Sequence, residues 1–165
     1  MWMQNWLMSF GHQLEHASWV VAMSDYPRLF TVFSVIHYFS VFLIVGTSAV
    51  VDLRVAGLAA RRLNVSAIAE GLFPWTWTGL GLSAVTGFFM FMPEAAGFFT
   101  ASAFFIKLGL VMVAVVVALV VQKNARRLGQ AAAVPASTKL MALVSLALWI
   151  GVVLAAVEIA QQADV

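Results

Sequence analysis

Apolar residues gather into four long runs along this chain, at about residues 29–51, 72–92, 100–121 and 140–160, with polar stretches between them. Each run is near or above the roughly 20 residues an α-helix needs to cross a bilayer. The pattern predicts four transmembrane helices. Ahead of them, "MWMQNWLMSFGHQLEHASWVVAM" is too polar to cross and too apolar for a free tail. Trp2, Trp6, Phe10 and Leu14 recur there at helical spacing, and Trp favours the membrane interface. Residues 1–24 therefore read as an interfacial amphipathic helix. "SDYP" breaks it from the first span, with Pro27 near that span's start.

The connections set an expected orientation. Arg54, Arg61 and Arg62 follow the first run, and Lys123, Arg126, Arg127 and Lys139 follow the third, which makes seven of the nine Lys and Arg. The positive-inside rule makes that side cytoplasmic. Both termini and the "PEAAG" loop then face outward.

Composition supports the same class. Hydrophobic residues make up 63% of the 165 and charged residues 10%, against about 25% charged in a soluble domain. The expected fold class is all-α: an integral membrane four-helix bundle formed by residues 25–165, with the N-terminal interfacial helix on its outer face. The lipid bilayer is its first partner, and nothing supports nucleic-acid binding, because the basic residues sit where topology asks for them. With no cysteine, disulfides, thiolate metal sites and covalent c-type haem attachment are excluded. The opening residues lack a basic n-region and a small-residue cleavage site, so they read as retained rather than as a removable signal.

A polar group in hydrocarbon is costly unless partnered, which makes the few inside the runs the best functional clues. His37 lies about eight residues into the first run and Lys107 about seven into the third from the same side; Thr86 reaches a similar depth on the second. Ser34, His37 and Ser40 share one helical face, with Thr47 and Ser48 further along it. Glu158, in the last turn of the fourth run, offers Lys107 an ion-pair partner. Small residues at four-residue spacing, Gly79, Ser83 and Gly87 in the second run and Ala147, Gly151 and Ala155 in the fourth, permit either close helix packing or a planar ligand. Asp52 is expected to pair with Arg54, Arg126 or Arg127 and pin the loops together.

"HQLEH" places His12 and His16 four residues apart, where both imidazoles can reach one metal from a single helical face. The string also fits the inverted zinc-peptidase pattern, but those enzymes need a soluble scaffold and a third ligand that the chain hardly offers. The bland alternatives are two wet histidines on an interfacial helix, and an intramembrane His37 that bonds a neighbouring helix. The outer-side methionines are soft donors suited to Cu(I) or ordinary apolar filler.

"YPRLFTVFSVIHYFSVFLIVGTSAVVDLRVAGL", "LFPWTWTGLGLSAVTGFFMF" and "FFIKLGLVMVAV" together resemble a family of uncharacterised bacterial four-helix membrane proteins. Their shared pattern is a His in the first span, "DLR" at its end, "PW…TG…F" in the second span and "F..KL" opening the third, over about residues 26–120. More distantly the pattern is similar to the copper-resistance protein D superfamily and the HemJ-type protoporphyrinogen oxidases. That resemblance implies a bacterial inner membrane, so that the outward-facing termini are periplasmic, and a b-type haem or copper site near the outer leaflet, with His37 matching the haem-ligand His and Lys107 the Lys of the third span. The chain departs from the oxidase pattern in lacking a second His in spans two to four.

The reading that follows is a haem b-binding membrane protein, an oxidoreductase or electron-transfer component, with His37 as axial ligand and Lys107 or Arg28 pairing with propionates. The second axial position would fall to His16 or His12, to another subunit's residue, or stay empty; in a variant, His12 and His16 together hold a copper ion adjacent to the haem. A copper-handling protein or small permease without haem, and a structural subunit of a complex, are the alternatives. A homo-oligomer, dimer or trimer, and a redox partner are expected.

Overall fold

The computed structural model describes residues 2–128 and 133–163, and it is helical almost throughout, with no strand among them. In chain order the helices are α1 (Trp2–Glu15), α2 (Ser18–Ser24), α3 (Pro27–Ala56), α4 (Val65–Phe91), a single 3-10 turn (Met92–Glu94), α5 (Ala95–Thr100), α6 (Ser102–Arg127) and α7 (Ala136–Ala163). α3, α4, α6 and α7 are long and apolar enough to cross a membrane. Short connections make sequential spans antiparallel neighbours. α3 packs on α4 and α7, and α6 packs on the same two, so α3 and α6 face each other across the diagonal of a four-helix square.

Local chemistry sets the helix ends. Pro27 opens α3, where its missing N–H costs nothing. Gly57 closes it at φ 79°, and Leu58 N–H donates to Leu53 O at 2.9 Å, a left-handed termination that glycine adopts without strain. Asn64 caps α4 by accepting from Ser66 N–H at 3.0 Å. The long polar stretch expected between the first two spans therefore shrinks to residues 57–64. Helix persists because polar side chains find partners near the bundle's end: Arg54 Nε, for example, donates to Leu63 O at 2.7 Å.

The core is apolar in two layers. Val51, Val55, Ala69, Val121, Ala125 and Ala142 pack at the basic end, and Ile44, Ala114, Ala118, Trp149 and Val152 pack nearer the middle. Phe39, Phe42, Met112 and Leu154 point outward and are exposed, as lipid-facing side chains must be in a bundle that spans a bilayer.

The N-terminal segment departs from the single interfacial helix expected. It breaks at His16 and Ala17, where Ala17 is extended, into α1 and α2. α1 rests on α5, formed by the stretch read as the "PEAAG" loop. Gly11 makes this possible: a Cβ there would lie 2.6 Å from Ala96 Cα. Glu15 Oε1 then accepts from Ala96 N–H at 2.8 Å, satisfying a first-turn donor that has no partner inside its own short helix. Trp6, Met8 and Phe10 remain exposed. Met1, Asp164 and the Ala-rich linker residues 129–132 lie outside the described residues.

Candidate functional site

His37 sits on the inner face of α3, nine residues past Arg28, or about 14 Å along the helix at 1.5 Å per residue. Its Nδ1 lies 3.1 Å from Ser83 O and 3.1 Å from Thr86 Oγ1, both on α4. Thr86 Oγ1 itself donates to Leu82 O at 2.7 Å. A carbonyl oxygen only accepts, and the Thr86 proton already points at Leu82, so these contacts assign the proton to Nδ1. The Nε2 of the neutral ring is left with its lone pair, and among the described residues no hydrogen bond reaches it.

The α4 stripe of Gly79, Ser83 and Gly87 is what brings the ring so close. A Cβ on Gly87 would stand 3.1 Å from His37 Cε1, and one on Gly79 would stand 3.0 Å from Ile44 Cγ1 and 3.1 Å from Ser40 O. This stripe packs helix on helix; the room it offered a planar ligand is taken by α3. A Cβ on Gly151 of the α7 stripe would stand 3.8 Å from Leu110 Cδ1 of α6, an ordinary contact distance.

Lys107, from α6, is half-buried and near enough for its charge to act on the His37 ring. Glu158, toward the end of α7, has a partner of its own. Arg28 is exposed in the first turn of α3. Toward the α2 end of the His37 layer, Phe33 stacks on Phe89 at 4.9 Å, and Trp19 of α2 meets Phe88 and Phe89 at 6.5 and 6.3 Å. Sequence reasoning missed this aromatic layer, since Trp and Phe near a span end are ordinarily belt residues. The only available signal was Phe33 one turn before His37.

His12 and His16 are both exposed, on and just past the C-terminal turn of α1. Among the described residues no three His, Cys, Asp or Glu converge. His12 Nδ1 and Glu15 Oε2 are 3.0 Å apart, which makes "HQLEH" part of the α1–α5 joint. Met92 is buried in the core as filler.

A second polar layer lies toward the basic end. Thr47 and Thr76 hydroxyls are 2.9 Å apart, and Gln122 Nε2 donates to Thr76 Oγ1 at 3.4 Å, so α3, α4 and α6 are joined through side chains. One turn beyond, Asp52 is 2% exposed, with Ser145 of α7 beside it. Its expected arginine pairs do not form: Arg54 bonds Leu63 O, and Arg126 lies over the Phe73 ring, 4.8 Å from its centroid. Asp52 Oδ2, Ser48 Oγ and Ser145 Oγ have no hydrogen-bond partner among the described residues.

Comparison of the chain with protein-family models, with curated proteins and with solved structures returns no match.

Proposed function

We propose that the chain is a haem b-binding protein of a bacterial inner membrane, with Nε2 of His37 as an axial ligand and with electron transfer or oxygen-species chemistry as its work. One observation carries this reading: Nδ1 is committed as a donor to α4, and Nε2 is left unprotonated, with no hydrogen bond to it among the described residues. Ligating histidines characteristically donate their other ring N–H to a carbonyl or carboxylate, which fixes the tautomer and ring orientation. Ser83 O does this here, with Thr86 Oγ1 beside it.

The other residues take supporting parts. Lys107 supplies a cation beside His37 that a propionate would neutralise, and exposed Arg28 supplies a second toward the α1 end. Trp19, Phe33, Phe88 and Phe89 form an apolar, stacked layer on one side. Bound haem would contribute a one-electron couple whose potential is set by its axial ligands and surroundings. The second axial ligand is His16, His12, a residue of another subunit, or none. The family likeness noted in the sequence supports the same reading. So does the collection of seven basic residues at one end, which orients that end to the cytoplasm. Copper at His12 and His16 is a weaker variant, because both are exposed and no third His, Cys, Asp or Glu joins them among the described residues.

A second reading rests on the same bond. His37 joined to Ser83 and Thr86 also describes an interhelical clamp in a structural subunit, whose partner would carry the chemistry. Absorption spectra of the purified protein, oxidised and dithionite-reduced, separate the two. A Soret band lost in His37→Ala supports haem, and a colourless protein that copurifies with another subunit supports the clamp.

A further inference from the structure

Between α4 and α6, at the basic end, a groove of about 690 Å³ is lined by Glu70, Phe73, Val116, Leu119, Val120, Lys123, Arg126 and Arg127. Its composition changes along its length. From Val116 to Arg127 is eleven residues of helix, about 16 Å. Val116, Leu119 and Val120 form an exposed apolar wall over the deeper part, and Lys123, Arg126 and Arg127 follow at the same helix's end. None of the three cations enters an ion pair among the described residues. Arg126 is held over Phe73, which fixes its guanidinium on the α4 side of the opening.

The geometry points to this groove as a binding site for an anionic phospholipid, its phosphate among Lys123, Arg126 and Arg127 and the upper part of an acyl chain against Val116, Leu119 and Val120. The order of the lining selects this occupant. A free phosphate would use the cations and leave the apolar wall bare. A zwitterionic lipid would use the wall but bring its own cation to a place already holding three. Glu70 is the one anion in the groove; three cations against one carboxylate leave a net +2, which a one- or two-phosphate lipid complements. Basic pockets between transmembrane helices on the cytoplasmic side are known hosts for such head groups. The inference is independent of what His37 binds.

Binding is measured on the full chain in detergent, by native mass spectrometry and by the thermal midpoint, with phosphatidylglycerol, cardiolipin, phosphatidylcholine and inorganic phosphate added separately. Phosphatidylglycerol and cardiolipin should be retained and raise the midpoint, while phosphatidylcholine and phosphate should not. The double variant K123Q/R127Q, which changes only exposed side chains, should lose affinity about thirtyfold, at roughly a factor of five per cation. Glu70→Gln should act oppositely and tighten binding. Equal retention of phosphatidylcholine, equal stabilisation by inorganic phosphate, or no change of affinity in either variant would overturn the assignment.

Discussion

His37 and Thr86 are joined across α3 and α4 by a 3.1 Å contact in which the imidazole donates, because the threonine proton is already given to Leu82 O. This one relationship decides which ring nitrogen faces away from α4. Thr86→Val removes one of the two acceptors and leaves Ser83 O. Second-shell partners of a ligating histidine commonly affect affinity 10- to 100-fold. Haem retention in Thr86→Val should accordingly fall by about tenfold, the low end of that range, as read by haem titration. Thr86→Ser should behave as the parent.

Close packing on the α4 stripe has a separate consequence. Gly79→Ala forces a methyl to within about 3 Å of Ile44 and of Ser40 O, and the second of these is backbone. Overpacking of this kind costs about 1–3 kcal/mol, so the thermal midpoint should drop clearly. Gly81 on the same helix has open space beside it, and Gly81→Ala should leave the midpoint unchanged. Equal effects at the two positions would show that α3 and α4 do not cross as described.

The α1–α5 joint is testable without touching the bundle. Gly11→Ala meets Ala96 backbone at 2.6 Å, and Glu15→Ala removes the acceptor of Ala96 N–H. Either change should raise hydrogen exchange and proteolysis within residues 2–24 while the four spans keep their protection. Protection unaltered in both variants would mean that the N-terminal helix is held by something other than α5.

Asp52 separates a paired from an unpaired buried carboxylate. Removing one partner of a buried ion pair costs about 3–5 kcal/mol. Asp52, with no arginine beside it, should instead tolerate Asp52→Asn with a change in midpoint that is small or favourable, since burial of an uncompensated charge is itself costly. A large loss of stability in Asp52→Asn would restore the ion-pair view.

These residues also show what the sequence made legible. The four spans followed from apolar run length alone, and Pro27 marked where the first begins, because these are local signals. The meeting of His37 with Thr86 followed from depth, since helical rise converts residue number into height and polar groups in hydrocarbon seek one another. What depends on two surfaces finding each other was not legible. Gly11 and Ala96 are 85 positions apart, and no periodicity announces that a glycine on one helix will admit another helix's backbone. Asp52 misled for a related reason: its nearest arginines in sequence lie at suitable spacing, but Arg54 and Arg126 had better partners in a loop carbonyl and a phenyl ring.

Whether Nε2 of His37 holds haem iron, as proposed, is decided by an absorption spectrum of the purified chain, taken oxidised and then dithionite-reduced. The parent should show a Soret band with reducible α and β bands, and a folded His37→Ala variant should lose them. A parent protein reconstituted with haem that shows no such bands, or a His37→Ala variant whose spectrum is unchanged, would contradict it.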